Sequence, residues 1–181
     1  MKRSLIAELF ATSWLFAQGA GQRAASPMSV CELVMHRLEY NGKIVTVRGE
    51  VKASQHGIWL ESECASSLVT KGVTWPNAVF LRYPSTKSRI EADRADFSID
   101  WGAEEKITAQ IDRLGFDPTS DQLFETVTGL FRTYPDLQDR VSPNIQIAPR
   151  GGFGPDGYFP AQLIIKTRLA PEVIHGKPGK E

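Results

Sequence analysis

Four side chains between positions 31 and 64 have the composition of a zinc site: Cys31, His36, His56 and Cys64. Zinc takes thiolate and imidazole ligands that converge on a tetrahedron. The spacing works against convergence. Five residues turn a helix by about 500°, so Cys31 and His36 would point some 140° apart. A disulfide between Cys31 and Cys64, with both histidines on the surface, is the expectation in an oxidising compartment. In a reducing one the cysteines would be two buried free thiols. No metal and no cofactor are expected.

Asp93, Asp96, Asp100 and Glu104 form an acidic run. Calcium accepts such oxygens, but the alternating ligand positions and central glycine of a calcium loop are missing. The run reads as a solvated loop leading into a helix N-terminus, where carboxylates are favoured. The segment RGGFGPDG, starting at Arg150, has the glycines of a phosphate cradle. A phosphate loop runs from strand into helix, whereas a strand follows here and Pro155 removes one donor. A hairpin with Asp156-Gly157 at its turn is the better reading. No GxSxG elbow, HExxH pair or close carboxylate pair on a strand is present, so no catalytic residue is assigned. His175 falls in what reads as a loose tail.

The elements around these residues are legible in part. Met28, Ser29, Glu32 and Leu33 combine a capping box with a hydrophobic staple, and Val30, Leu33, Val34 and Leu38 share one face. Asn41-Gly42 ends that helix. Residues 43–54 alternate, with Val45, Val47, Gly49, Val51 and Ala53 on one side, as in a half-buried strand; Gly49 marks a bulge or bend. His56-Gly57 turns the chain into a second strand at 58–61. A third strand is expected at 78–83. Residues 84–143 have weak strand character, and two helices are predicted inside them. The first spans about 103–114, with Gly115 as its stop. The second spans about 121–133, with Leu123, Phe124, Val127, Leu130 and Phe131 as a core-facing stripe. Strands at 144–148 and 158–169 close the domain.

This order predicts a mainly β fold with an α insert: a five-stranded OB-like barrel with a leading helix and a helical crossover between strands three and four. The expected organisation is a signal peptide and linker over residues 1–25, the OB-like domain over 26–170 with its insert at about 84–143, and a flexible tail over 171–181. The pieces SVCEL, YNGKIVTVRGEV, the cysteine after GIWLE, and GFGPDGYFPAQLIIK resemble a group of small exported bacterial proteins of unassigned function with an OB-like domain. The resemblance spans roughly residues 29–65 and 144–168. That group carries no known activity, so the resemblance assigns no catalytic residue.

The N-terminus has the order of an export signal: basic Lys2 and Arg3, an apolar stretch from Leu5 interrupted by Glu8, then small residues at Ala17, Gly19 and Ala20. The apolar run is shorter than the ~20 residues of a spanning helix, so no membrane span remains after signal removal. An exported protein, periplasmic or extracellular, is expected. The chain holds 21 Lys plus Arg against 21 Asp plus Glu. A balanced charge exerts no global pull on phosphate backbones. OB barrels bind single strands by stacking bases on aromatics in a basic groove. Arg48, Lys52, Trp59 and Arg82 are the candidate ligand-binding residues of the face made by strands one to three, with Trp75, Phe80, Tyr83 and Lys166 as further groups of that type. The expected function is a non-enzymatic binding or interaction module for an unknown protein or small ligand. The alternatives are a hydrolase-like enzyme with a site across the central insert, and an oligonucleotide binder. Nucleic acid is the disfavoured partner.

Overall fold

The computed structural model describes residues 26–84, 95–137 and 151–176. The expected signal segment, the strand at 144–148, Asp93 and the end of the tail lie outside the described residues.

The elements run β1 (Met28–Ser29), α1 (Val30–Met35), α2 (Arg37–Tyr40), β2 (Ile44–Ser54), β3 (Gly57–Glu61), β4 (Val69–Thr70), β5 (Val73–Thr74), β6 (Ala78–Arg82), α3 (Trp101–Arg113), β7 (Gln122–Thr133) and β8 (Ala161–Ile174). Ser29 Oγ caps α1 by accepting from the Glu32 amide at 3.1 Å. Val30, Leu33 and Val34 are fully buried, as their spacing requires. The expected single helix is broken at His36, whose backbone leaves the helical region. The break rotates Leu38 away from the core, and it is exposed rather than inward.

Strand β2 alternates as expected, with Val45 and Val47 buried. Its first part pairs with β7 and its last part with β3; Glu50 lies opposite both Glu61 and Phe124. Gly49 sits at this hand-over. A Cβ there would lie 2.7 Å from Val30 Cγ2, so the missing side chain lets α1 pass close beneath the strand. The main sheet has six strands in the order β1-β2-β3-β6-β8-β7, and the added β2–β7 pairing closes β2, β3, β6, β8 and β7 into a ring. All neighbours in the ring are antiparallel except β6 and β8, which are parallel. The interior holds Val47, Leu60, Val79, Val127, Phe131 and Leu163, joined by Val30 and Leu33 from α1. The strands β4 and β5 form a separate two-stranded sheet.

The predicted helix at 121–133 is corrected. This segment is the strand β7, paired along its length with β8 and from Phe124 to Leu130 with β2. Leu123, Glu125, Val127, Phe131 and Thr133 are buried in alternation, with Gly129 in the same register. Tertiary pairing overrides the helical stripe, and Thr126, Val127 and Thr128 suit a pleated strand. The other predicted helix stands as α3, capped by Asp100, whose Oδ1 accepts from the Ala103 amide at 3.0 Å, and stopped at Gly115 with φ +65°. Strand β8 continues to Ile174, past residue 170 where the flexible tail was expected.

Residues 151–160 fold back over the sheet. Phe153 and Phe159 exchange backbone hydrogen bonds of 2.8 and 3.0 Å, and a 3-10 turn over Pro155–Gly157 reverses the chain between them. The Phe159 ring then packs against Trp59 and Phe80, at centroid separations of 5.5 and 5.4 Å.

Candidate binding site at the end of the strand ring

Every strand of the ring contributes to one cavity of about 260 Å³ beside the β2–β3 turn. Val51 and Ala53 come from β2, Gly57 and Ile58 from β3, and Phe80 and Leu81 from β6. Glu125 of β7, Ile165 and Arg168 of β8, and Tyr83 just past β6 complete the lining. Ile58 and Tyr83 are each 40% exposed, so two large apolar surfaces stand open at this end of the ring. The apolar lining follows from period-two alternation: β2, β3 and β6 turn aliphatic side chains inward, and at the ring's end those side chains meet no opposing layer.

One charged cluster interrupts that lining. Arg168 Nε donates to Glu125 Oε2 at 2.7 Å, and its Nη2 donates to Glu125 Oε1. Its Nη1 donates to Glu104 Oε2 at 3.0 Å, reaching across to α3. The Tyr83 hydroxyl donates to the same Glu104 oxygen at 3.2 Å. Burial by itself would lower the Arg168 pKa; the hydrogen bonds and charges of Glu125, then Glu104, outweigh it and hold the guanidinium well above its ordinary range. Burial pushes the Tyr83 phenol up, and the neighbouring Glu104 charge adds to that rise. At working pH Arg168 is therefore a fixed cation and Tyr83 a neutral donor. Glu104 Oε1 is buried with no hydrogen-bond partner.

Glu104 was expected in a solvated acidic face; it is buried instead, because Arg168 draws it down. Glu125 and Arg168 were not anticipated. The available signal was a glutamate at an inward position of an alternating strand, which calls for a buried cation.

The four expected ligand-binding residues share the outer face but differ in surroundings. Lys52 Nζ lies 2.5 Å from Glu50 Oε1 and 3.9 Å from Glu61 Oε1. Arg48 pairs with Glu172 and stands 5.7 Å from the centroid of the Phe124 ring. Trp59 Nε1 donates to Glu61 Oε2 at 2.9 Å while its ring meets Phe159. Arg82 borders a shallow groove with Tyr83, Gly154 and Pro155. Lys52, Trp59 and Phe80 are cross-strand neighbours, so the sheet gathers three of the expected groups, whereas Arg48 lies on the part of β2 that faces β7. Trp75 is a core residue whose Nε1 donates to Thr70 Oγ1 at 2.7 Å.

Cys31 and Cys64 form a disulfide that ties α1 to the chain leaving β3. Among the described residues no group of three or more His, Cys, Asp or Glu side chains converges as metal ligands would. His175 was expected in a loose tail; its Nδ1 lies 2.9 Å from Asp121 Oδ2, which fixes it against the start of β7. No described helix is long and apolar enough to cross a membrane. Comparison with known proteins returns no match: no protein-family model, no curated protein and no solved structure is significantly similar to this chain.

Proposed function

We propose that this chain is an exported, non-enzymatic binding module built on an OB-like barrel, and that the apolar part of a small ligand enters the open end of its strand ring. The single observation that carries the reading is the apolar cavity of about 260 Å³ to which all five ring strands contribute. Concave apolar sites with a few placed polar groups are the ordinary form of a small-molecule site. The OB-like assignment is supported by the ring order β2-β3-β6-β8-β7, by the parallel β6–β8 pair, and by α3 lying between the third and fourth ring strands. Export is supported by the signal-like N-terminus and by the disulfide.

Binding rather than catalysis is favoured by the state of the polar groups. Arg168 is paired with two carboxylates through three hydrogen bonds, and Tyr83 is held as a neutral hydrogen-bond donor. Such groups fix a wall and orient a ligand. On the outer face, Arg48 and Lys52 are each met by a carboxylate, which weakens their pull on a phosphate backbone.

The reading is tested with an environment-sensitive apolar dye. Saturable binding is expected in the wild type and loss of binding in Ile58→Asp, which puts a charge in the mouth, measured at a temperature where the variant's own melting curve shows it folded. Equal dye binding by both proteins, or none by either, overturns the proposal.

A further inference from the structure

We infer that the ligand of this cavity is an amphiphilic cation, an alkyl or aryl body carrying an ammonium group; the inference rests on the binding reading above. Three observations converge on it. The first is charge. One guanidinium, Arg168, faces two carboxylates, Glu104 and Glu125, leaving one formal negative charge in a site that is largely buried. Buried charge of one sign calls for compensation. The second is the orphan acceptor. Glu104 is 6% exposed, and its Oε1 has no hydrogen-bond partner. A buried carboxylate oxygen without a donor is costly, and an ammonium group supplies three donors.

The third observation is the neighbouring groove. Tyr83, Trp101, Glu104, Glu105 and Asp112 line a depression between α3 and the end of β6. Trp101, Glu105, Thr108 and Asp112 recur at helical spacing and so share one face of α3. Trp101 stacks on Tyr83 with centroids 5.7 Å apart and planes 19° apart, and it is 61% exposed. Aromatic faces beside carboxylates attract organic cations. Tyr83 lines both this groove and the cavity, so the two adjoin across its ring. An apolar body in the cavity brings a short-tethered ammonium to the Tyr83 edge, where Glu104 and Trp101 meet it. The cavity holds the equivalent of roughly nine waters, the bulk of a medium alkyl chain or of one aromatic ring with a short tail.

The experiment uses three matched probes at neutral pH, n-octylammonium, n-octanol and octanoate, each competing with the apolar dye on the full-length protein. The ammonium is expected to displace the dye at a concentration about tenfold below that of the alcohol, the effect of one added charge-assisted hydrogen bond. The carboxylate should be weakest. Glu104→Gln should abolish the preference for ammonium over alcohol while dye binding persists. Trp101→Ala, at an exposed position that leaves the fold intact, should weaken octylammonium about two- to fivefold and leave octanol unchanged. Equal displacement by all three probes, or preference for the carboxylate, overturns the cation inference and leaves the cavity reading standing. Failure of all three to displace the dye overturns the cavity reading as well.

Discussion

Arg168 and Glu125 are joined by two hydrogen bonds, Nε to Oε2 at 2.7 Å and Nη2 to Oε1, with the Glu125 side chain completely buried. They sit on adjacent strands where the β7–β8 register shifts between Phe124 and Thr126. Removing one member of a buried pair leaves an uncompensated charge and costs about 3–5 kcal/mol. Arg168→Met, which strands both Glu125 and Glu104, should lower the unfolding free energy measured in urea by that margin, and Glu125→Leu, which leaves Arg168 paired with Glu104, should lower it by about 1.5–3 kcal/mol. The triple variant Arg168→Met/Glu125→Leu/Glu104→Leu should recover most of the loss, since an apolar replacement of the whole cluster is close to neutral. Single-variant losses under about 1 kcal/mol would mean that water reaches the pair.

That pair also explains what the sequence conceals. Over 122–133, Leu123, Val127, Leu130 and Phe131 recur at helical spacing, while Leu123, Glu125, Val127, Gly129 and Phe131 alternate at period two. The second pattern includes a glutamate and a glycine, so apolar content alone favours the first. Only Arg168, separated by 43 positions, makes Glu125 an interior residue. The packing of Phe159 onto Trp59 and Phe80 is equally non-local. By contrast β2, the capped start of α1, α3 and the Cys31–Cys64 pairing rest on neighbours in sequence or on cysteine count, and these are readable directly. The site is half legible: Tyr83 and Glu104 stand out as an aromatic and an acid, but nothing local brings them to Arg168.

The disulfide closes a loop with a sequence separation of 33. In the chain-entropy model such a closure stabilises by roughly 3–4 kcal/mol. The double variant Cys31→Ser/Cys64→Ser should lose about that much in chemical unfolding, and reduction of the wild type should match it. Mass spectrometry of protein isolated from its native compartment should find the pair oxidised. Two free thiols there would contradict both the bridge and the export reading.

Asp121 anchors the end of β8. Its Oδ2 accepts from the Asp117 amide at 3.0 Å, its Oδ1 accepts from the Gly176 amide at 3.0 Å, and His175 Nδ1 lies 2.9 Å from Oδ2. The Asp117 amide foremost, with Gly176 and His175 adding to it against the cost of burial, holds the carboxyl at about 2, below the ~3.9 of a free aspartate. A folded-state pKa below the unfolded one stabilises above the unfolded value, and that stability is lost as pH falls through the folded value. Exchange protection of the Gly176 amide should therefore hold above about pH 4 and decline between about pH 4 and 2. Asp121→Asn should lack this acid step. The same acid step persisting in Asp121→Asn would overturn this assignment.

Gly129 gives a test in which the two readings of 122–133 predict opposite signs. In a helix, glycine to alanine stabilises by about 1 kcal/mol. In β7 an added Cβ at Gly129 would lie 2.4 Å from the Ile164 carbonyl oxygen and 3.0 Å from Leu163 Cγ. Neither neighbour has room to retreat: the oxygen belongs to the backbone of the paired strand, and Leu163 is fully buried. Gly129→Ala should therefore destabilise by about 1–3 kcal/mol, the usual range for overpacking. Gly102, in the first turn of α3, is the control. A Cβ there meets only Asp100 Oδ1, at 3.5 Å. Gly102→Ala should stabilise by up to about 1 kcal/mol through helix propensity. Urea unfolding of both variants against the wild type reads the two signs directly. A stabilising Gly129→Ala would be incompatible with the β7–β8 pairing that closes the ring.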